Sequence, residues 1–201
     1  METQSFFSPG GKASDTLVRE IYDWAESIVN ALIFLILVLG IVFRMFTVIG
    51  PSMNPTLENQ DRLVAYNLFY SPQKGDIVAI TQPRLINVDK SKPLIKRVIA
   101  VEGDVVEINF EAGIVFVNGK ALDEPYILEQ TYLREDMSTG EAVTVEKGKV
   151  FVMGDNRNDS LDSRSADIGQ IDTRYIVGGM FFRYWPLNKI SFIPNPYSSE
   201  S

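Results

Sequence analysis

The sequence predicts a mainly β protein, an antiparallel sheet or partly open barrel that follows one N-terminal transmembrane helix. Three observations predict it. Residues Ser27–Phe43 read SIVNALIFLILVLGIVF without a single charge, and a bilayer core takes roughly 17–25 residues of helix. After Pro51 the chain changes to short alternating or apolar runs rich in Val, Ile, Phe and Tyr, the pattern of half-buried strands. No amphipathic helix of convincing length follows, so these runs must pack against one another as a sandwich or barrel.

Taken in order, residues 1–24 begin with a polar stretch holding Gly10, Gly11 and several serines, and read as a short flexible tail. Apolar character resumes past Arg44 as Met45-Phe46-Thr47-Val48-Ile49. The anchor is therefore placed over 25–46, with Arg44 snorkelling to the interface. A cleaved leader would carry an apolar region of roughly 7–15 residues and then a small-x-small site. Here the run is longer and ends in Arg-Met-Phe, so it reads as an uncleaved anchor. A buried core helix is the rival, but no polar face is visible. Lys12 and Arg19 flank one side and Arg44 and Arg62 the other, so the positive-inside count is a tie.

A β-rich domain is expected over 47–195. Its candidate strands are Arg62–Tyr66, Asp76–Thr81, Leu94–Val101, Val105–Asn109, Ile114–Val117, Lys149–Met153 and Tyr175–Tyr184. Asn118-Gly119 suits a tight hairpin, and Gly103-Asp104 marks another turn. Residues 196–201 are left as a C-terminal tail.

Composition narrows the chemistry. A net charge of -7, with no Lys/Arg cluster, excludes nucleic acid as a partner. There is no cysteine, which removes disulfides, thiolate metal sites and cysteine nucleophiles. There is also no histidine. Any hydrolytic base must then be a lysine, a carboxylate, a terminal amine or a metal held by oxygen alone, and the Ser-His-Asp arrangement is closed to this chain.

Three segments carry candidate chemistry. In Gly50-Pro51-Ser52-Met53-Asn54-Pro55-Thr56-Leu57, two prolines restrict the backbone around Ser52. Such a turn can present Oγ outward beside its own N–H, although an ordinary loop looks the same. In Leu94-Ile95-Lys96-Arg97-Val98, alternation puts Leu94, Lys96 and Val98 on one face. If that face is buried, desolvation lowers the lysine pKa and makes it a base; an edge lysine that discourages aggregation is the bland alternative. The third segment, Gly154-Asp155-Asn156-Arg157-Asn158-Asp159-Ser160-Leu161-Asp162-Ser163-Arg164, is dense in carboxylates and amides. A calcium loop fails on spacing: counted from Asp155, the sixth position is Ser160 where Gly is needed and the twelfth is Ala166 where Glu is needed. A loop cross-braced by Asp162 and Arg164 fits better. No metal or other cofactor is expected.

Jointly and in order, these segments resemble the bacterial type I signal peptidase (leader peptidase) family. The serine box is matched by Ser52-Met53-Asn54-Pro55-Thr56-Leu57, and a second box by Lys74-Gly75-Asp76-Ile77-Val78. The lysine box is matched by Lys96-Arg97-Val98-Ile99-Ala100-Val101-Glu102-Gly103-Asp104, and the last box by Gly154 to Arg164. The resemblance runs from about Ser27 to Pro194, and the single hydrophobic segment matches the family's single-anchor form.

The resemblance implies Ser52 as nucleophile and Lys96 as general base and later acid. Ser160 would hydrogen-bond and orient Lys96, and Asp162 with Arg164 would form a supporting ion pair. Phe46, Val48, Met53, Leu57, Leu94 and Ile95 would wall shallow S1 and S3 pockets that admit only Ala-sized side chains. The substrates implied are exported preproteins whose signal peptides are cut after small-x-small motifs. The lipid bilayer and the secretion translocon are the implied partners. Residues 1–24 would be cytoplasmic, 47–195 an extracytoplasmic peptidase domain, and the whole a single-pass protein of the bacterial cell membrane. Two departures stand out. Gly50 occupies the position where some members place a hydroxyl, so no side chain there supplies a second oxyanion donor. The lysine box ends Ala-Val-Glu-Gly-Asp where Gly-x-Pro-Gly-Asp is commoner. The competing function is a membrane-tethered β-domain that binds exported peptides without cutting them; loss of Ser52 or Lys96 would signal it, and both are present.

Overall fold

The computed structural model describes residues 11–81 and 93–198. Its N-terminal unit is a helix, α1 (Gly11–Val42), of 32 residues. The stretch Leu17–Val42 is long and apolar enough to cross a membrane, 26 residues with a mean hydropathy of 2.4. At 1.5 Å per residue that is about 39 Å of helix, against a hydrocarbon core of roughly 30 Å. The helix starts earlier than the hydropathy pattern predicts. Residues 11–24 belong to it rather than to a tail, because Leu17, Arg19, Glu20 and Ala25 are good helix formers that continue the apolar run backwards. Residues 1–10 of the expected tail lie outside the described residues.

The helix also ends earlier. Phe43–Thr47 form β1, the first strand of the second unit, so the last residues assigned to the anchor are strand. Apolar character continues from the helix into FRMFT with only Arg44 between, and hydropathy alone does not separate them. The pairing of β1 with β2 (Arg62–Tyr66), Phe43 opposite Tyr66 and Thr47 opposite Arg62, decides it.

The remaining strands are β3 (Ile77–Ile80), β4 (Leu94–Val101), β5 (Val105–Asn109), β6 (Ile114–Val117), β7 (Lys120–Ala121), β8 (Val143–Thr144), β9 (Lys149–Met153), β10 (Ile171–Asp172), β11 (Ile176–Trp185) and β12 (Ser191–Phe192). Each of these pairings is antiparallel. The larger sheet runs β1-β2-β11-β3-β4-β9-β10, with β12 on β11, and curls as a half-barrel. Register shifts in β11 and between Val98 and Ala100 of β4 supply the bends that curl it. The smaller sheet runs β7-β6-β5-β8. The Asn118-Gly119 turn joins β6 to β7 with φ of 54 and 75°, the two left-handed residues such a hairpin needs.

Three buried clusters hold this unit together. Val48, Met53, Leu57, Leu63, Ile77, Ile95 and Met180 fill one, and Phe46 packs against it. Val78, Val98, Val152 and Ile171 fill a second, against which Leu94 packs. Ile99, Val106, Ile108, Val115 and Phe151 fill the third, between the two sheets. β4 takes part in all of them because alternation sends Ile95 and Leu94 to opposite faces. The strand that carries Lys96 is thereby the most firmly embedded in the fold.

Candidate active site

Ser52 lies in the turn-rich link between β1 and β2. Gly50 has φ +88, a conformation that side chains disfavour, and its N–H donates to Asn59 Oδ1 at 3.0 Å. Local bonds follow, Asn54 N–H to Pro51 O at 3.0 Å and Leu57 N–H to Met53 O at 2.9 Å. Met53 and Leu57, each 1% exposed, plug the link into the core beneath it. Ser52 itself stays half-buried, presented by a loop whose apolar members are fastened.

Lys96 is 3% exposed, and its Nζ donates to Ser52 Oγ at 2.7 Å. Burial pulls its pKa down from 10.5 to about 8, against the opposing charge of Asp162 and with the help of Arg164. The amine is therefore far easier to deprotonate near neutral pH than a solvated lysine.

The loop after β9 closes the site. Asn156 N–H donates to Ser52 O at 3.1 Å, and its side-chain amide to Pro51 O at 3.3 Å. Asp162 is fully buried and gathers four groups. It accepts from Gly154 N–H at 3.0 Å, Ser160 Oγ at 2.8 Å, Arg164 Nε at 2.8 Å and Arg164 Nη2 at 2.9 Å. Burial alone would raise its pKa, but the bonds and charge of Arg164, the Gly154 N–H and the Lys96 charge outweigh burial, and the carboxyl stays below its ordinary range. The Asp162–Arg164 pair expected from the sequence is thus present.

The Ser160 hydroxyl, expected to orient Lys96, donates to Asp162 at 2.8 Å. Gly154 is required by crowding. A Cβ there would run into Ser52 O and Ser160 Oγ. Gly154→Ala is expected to push the nucleophile loop off β9 and lower turnover by about 100-fold or more, since roughly 1 Å of misplacement costs that much; steady-state kinetics on the folded variant checks it.

The predicted pocket residues divide. Val48, Met53, Leu57 and Ile95 share one core cluster, at 2, 1, 1 and 6% exposure, with half-buried Phe46 against it. Leu94 packs on the opposite face of β4. Only Phe46 and Leu94 of these six keep more than marginal exposed surface.

Sequence reasoning misses two further buried ion pairs, Arg97 with Asp155 and Arg157 with Glu124, and the anchoring role of Asn156. All but Glu124 stand inside the quoted boxes, but no spacing rule joins residues 58 or 33 positions apart. A cavity of about 490 Å³, lined by Lys74, Val101, Lys120, Leu122 and Tyr197 among others, contains neither Ser52 nor Lys96.

Chemically, a buried amine of lowered pKa on a serine hydroxyl can accept its proton while the oxygen attacks a carbonyl carbon. The sequence is similar to known peptidases. The family described as signal peptidase, peptidase S26, matches residues 21–185. Signal peptidase IB of Staphylococcus aureus (strain MRSA252) is 32% identical over 199 residues, covering 91% of this chain and 99% of the relative. Signal peptidase I of Bacillus licheniformis is 34% identical over 180 residues, covering 86% and 92%. A solved signal peptidase I from Enterococcus faecalis V583 overlaps 55% of this chain and 97% of its own, with 28% identity and a TM-score of 0.42. On the extent of the family match and of the two sequence relatives, the chain belongs to the signal peptidase family, peptidase S26.

Proposed function

We propose that this protein is a membrane-bound serine endopeptidase that removes signal peptides from exported preproteins after small-x-small motifs, with Ser52 and Lys96 as a catalytic dyad. The observation that carries the reading is the 2.7 Å contact between Lys96 Nζ and Ser52 Oγ, made by a lysine buried well enough to lose its proton.

Neutral Lys96 takes the Ser52 hydroxyl proton as Oγ bonds to the scissile carbonyl carbon. The carbonyl oxygen becomes an oxyanion, for which the Ser52 N–H is the nearest donor. Lys96 ammonium returns its proton to the leaving amine, the C–N bond breaks, and the signal peptide remains as an ester on Ser52. Water then attacks that ester with Lys96 again as base, which frees the signal peptide carboxylate and restores the serine. Ser160 and Asp162 fix the loop beside the amine, and Arg164 holds Asp162 ionised.

Specificity for small side chains is assigned to Phe46, Val48, Met53, Leu57 and Ile95, which share one cluster, and to Leu94 at the edge of the next. An extended peptide binds here by adding a strand beside the catalytic residues. The anchor, α1, keeps the residues before Leu17 cytoplasmic and the β-domain extracytoplasmic, in a single pass. Met45 and Ile49, 74 and 55% exposed on either side of the buried Val48, offer apolar surface to the bilayer near the nucleophile. Preproteins emerging from the translocon meet the site there.

Incubation of purified protein with a defined preprotein, with products read by mass spectrometry, is expected to give one cut after a small-x-small motif. Binding of the preprotein without any cut would favour the non-cleaving alternative.

A further inference from the structure

Behind the dyad, on the face of β4 away from Lys96, a junction ties three segments together. Arg97 donates to Asp155 through Nε at 2.8 Å and Nη2 at 2.6 Å, and to Gly75 O through Nη1 at 2.8 Å. Thr56, four residues past the nucleophile, donates to the same Asp155 at 2.5 Å. The strand of Lys96, the loop of Ser52 and the loop of Ser160 and Asp162 thus meet at one ion pair. Asn156, next to Asp155, carries the tie on to Ser52 and Pro51.

One aromatic side chain covers this junction. Arg97 Cζ lies 4.0 Å from the centroid of the Tyr126 ring. A guanidinium against a ring at that distance is attracted to its π face, and the ring keeps water from the ion pair beneath. Tyr126 is in turn tethered, because its hydroxyl lies 2.9 Å from that of Tyr197 near the C-terminal end. Tyr197 is held by two further bonds, its hydroxyl to Asp123 O at 2.8 Å and its N–H to Asn195 Oδ1 at 2.8 Å. Asn195 donates to Lys74 O at 2.9 Å and Asp76 Oδ1 at 2.8 Å, on either side of the Gly75 carbonyl that Arg97 uses.

We infer that Tyr126, held in place by Tyr197, is a positioning residue: it keeps the Arg97–Asp155–Thr56 junction dry and aligned and so fixes Ser52 Oγ on Lys96 Nζ. The inference rests on the dyad reading above. Tyr126 touches neither substrate nor reacting atoms, and its influence is on the rate of the bound complex rather than on binding.

The test is steady-state kinetics on a small-x-small peptide with Tyr126→Leu, Tyr126→Phe and Tyr197→Phe, each measured well below its own Tm. Tyr126→Leu is expected to lower kcat by about 10-fold or more, with KM within about twofold. Tyr126→Phe keeps the ring over Arg97, and Tyr197→Phe loses the same hydroxyl contact from the other side. Each should lower kcat by about threefold or more, since Tyr197→Phe also loses its bond to Asp123 O and Tyr126→Phe its bond to Glu124. If Tyr126→Leu does not fold, Tyr197→Phe decides, since it removes one oxygen atom only. Wild-type kcat in the folded variants, or a loss that appears in KM alone, overturns the inference. Ser52→Ala run alongside separates the two claims. Turnover that survives Ser52→Ala sinks the dyad, whereas wild-type kcat in Tyr126→Leu beside an inactive Ser52→Ala sinks only the role of Tyr126.

Discussion

Lys96→Met is expected to abolish turnover and, at the same time, to make the folded domain more stable. The loss should reach at least about 10⁴-fold, as should that of Ser52→Ala, because nucleophile and base act as one unit. The gain in stability follows from linkage. Lys96 has a folded pKa of about 8 against 10.5 outside the fold, so between those values the unfolded chain binds more protons and stability rises with pH. Below about 8 the full penalty for burying the amine is present, up to about 3 kcal/mol, and above 10.5 it is gone. A methionine of similar shape carries no such penalty. Thermal unfolding of Lys96→Met should therefore show a higher Tm than wild type at pH 7 and a gap that closes as pH rises towards 10.5. Ser52→Ala, which leaves the buried amine in place, should show no comparable gain.

Asp162→Asn is expected to be the most destabilising single change at the site. It leaves the Arg164 guanidinium, 1% exposed, without its counter-charge, and it turns acceptors of the Gly154 N–H and the Ser160 hydroxyl into a poorly matched amide. Breaking one partner of such a pair costs about 3–5 kcal/mol. Denaturant unfolding at pH 7 measures it. The same pair biases the base in a way that can be read separately. Asp162 raises the Lys96 pKa and Arg164 lowers it. Residual activity of Asp162→Asn should thus have its pH midpoint moved to lower pH, and that of Arg164→Met to higher pH. A shift of both in the same direction would show that the two charges do not act on Lys96 as the geometry requires. Asp162 also has its own linkage. Its folded pKa is depressed, so its contribution is complete above the ordinary carboxylate range and is lost as pH falls below it.

Much of the fold and site is legible in the sequence because it is local. Strands β2, β4, β5, β6 and β9 fall at the residues where alternating apolar runs stand between turn residues. The Asp162–Arg164 pair, two positions apart, can be read from spacing. The absence of histidine makes a lysine base chemically reasonable on composition alone. What cannot be read is set by neighbours distant in the chain. FRMFT is a strand because RLVAY lies beside it, and nothing within FRMFT distinguishes it from the end of a membrane helix. The Ser160 hydroxyl donates to Asp162 because that carboxylate is drawn in by Arg164 and by the Gly154 N–H, eight positions away. Val48, Met53 and Leu57, expected as pocket walls, are 2, 1 and 1% exposed, because their side chains also fasten the Ser52 loop to the core. Arg97, Asp155 and Thr56 meet only once three separate segments have folded.

The central claim is that Lys96 works as a neutral base, and the pH dependence of kcat/KM for a small-x-small peptide tests it most directly. The rate should rise with pH through a single ionisation near 8, the value that burial gives the amine, and level off above it. A rise that begins only near the ordinary lysine value of 10.5 would contradict the account, because a fully solvated ammonium could not serve Ser52 at the pH where cells live.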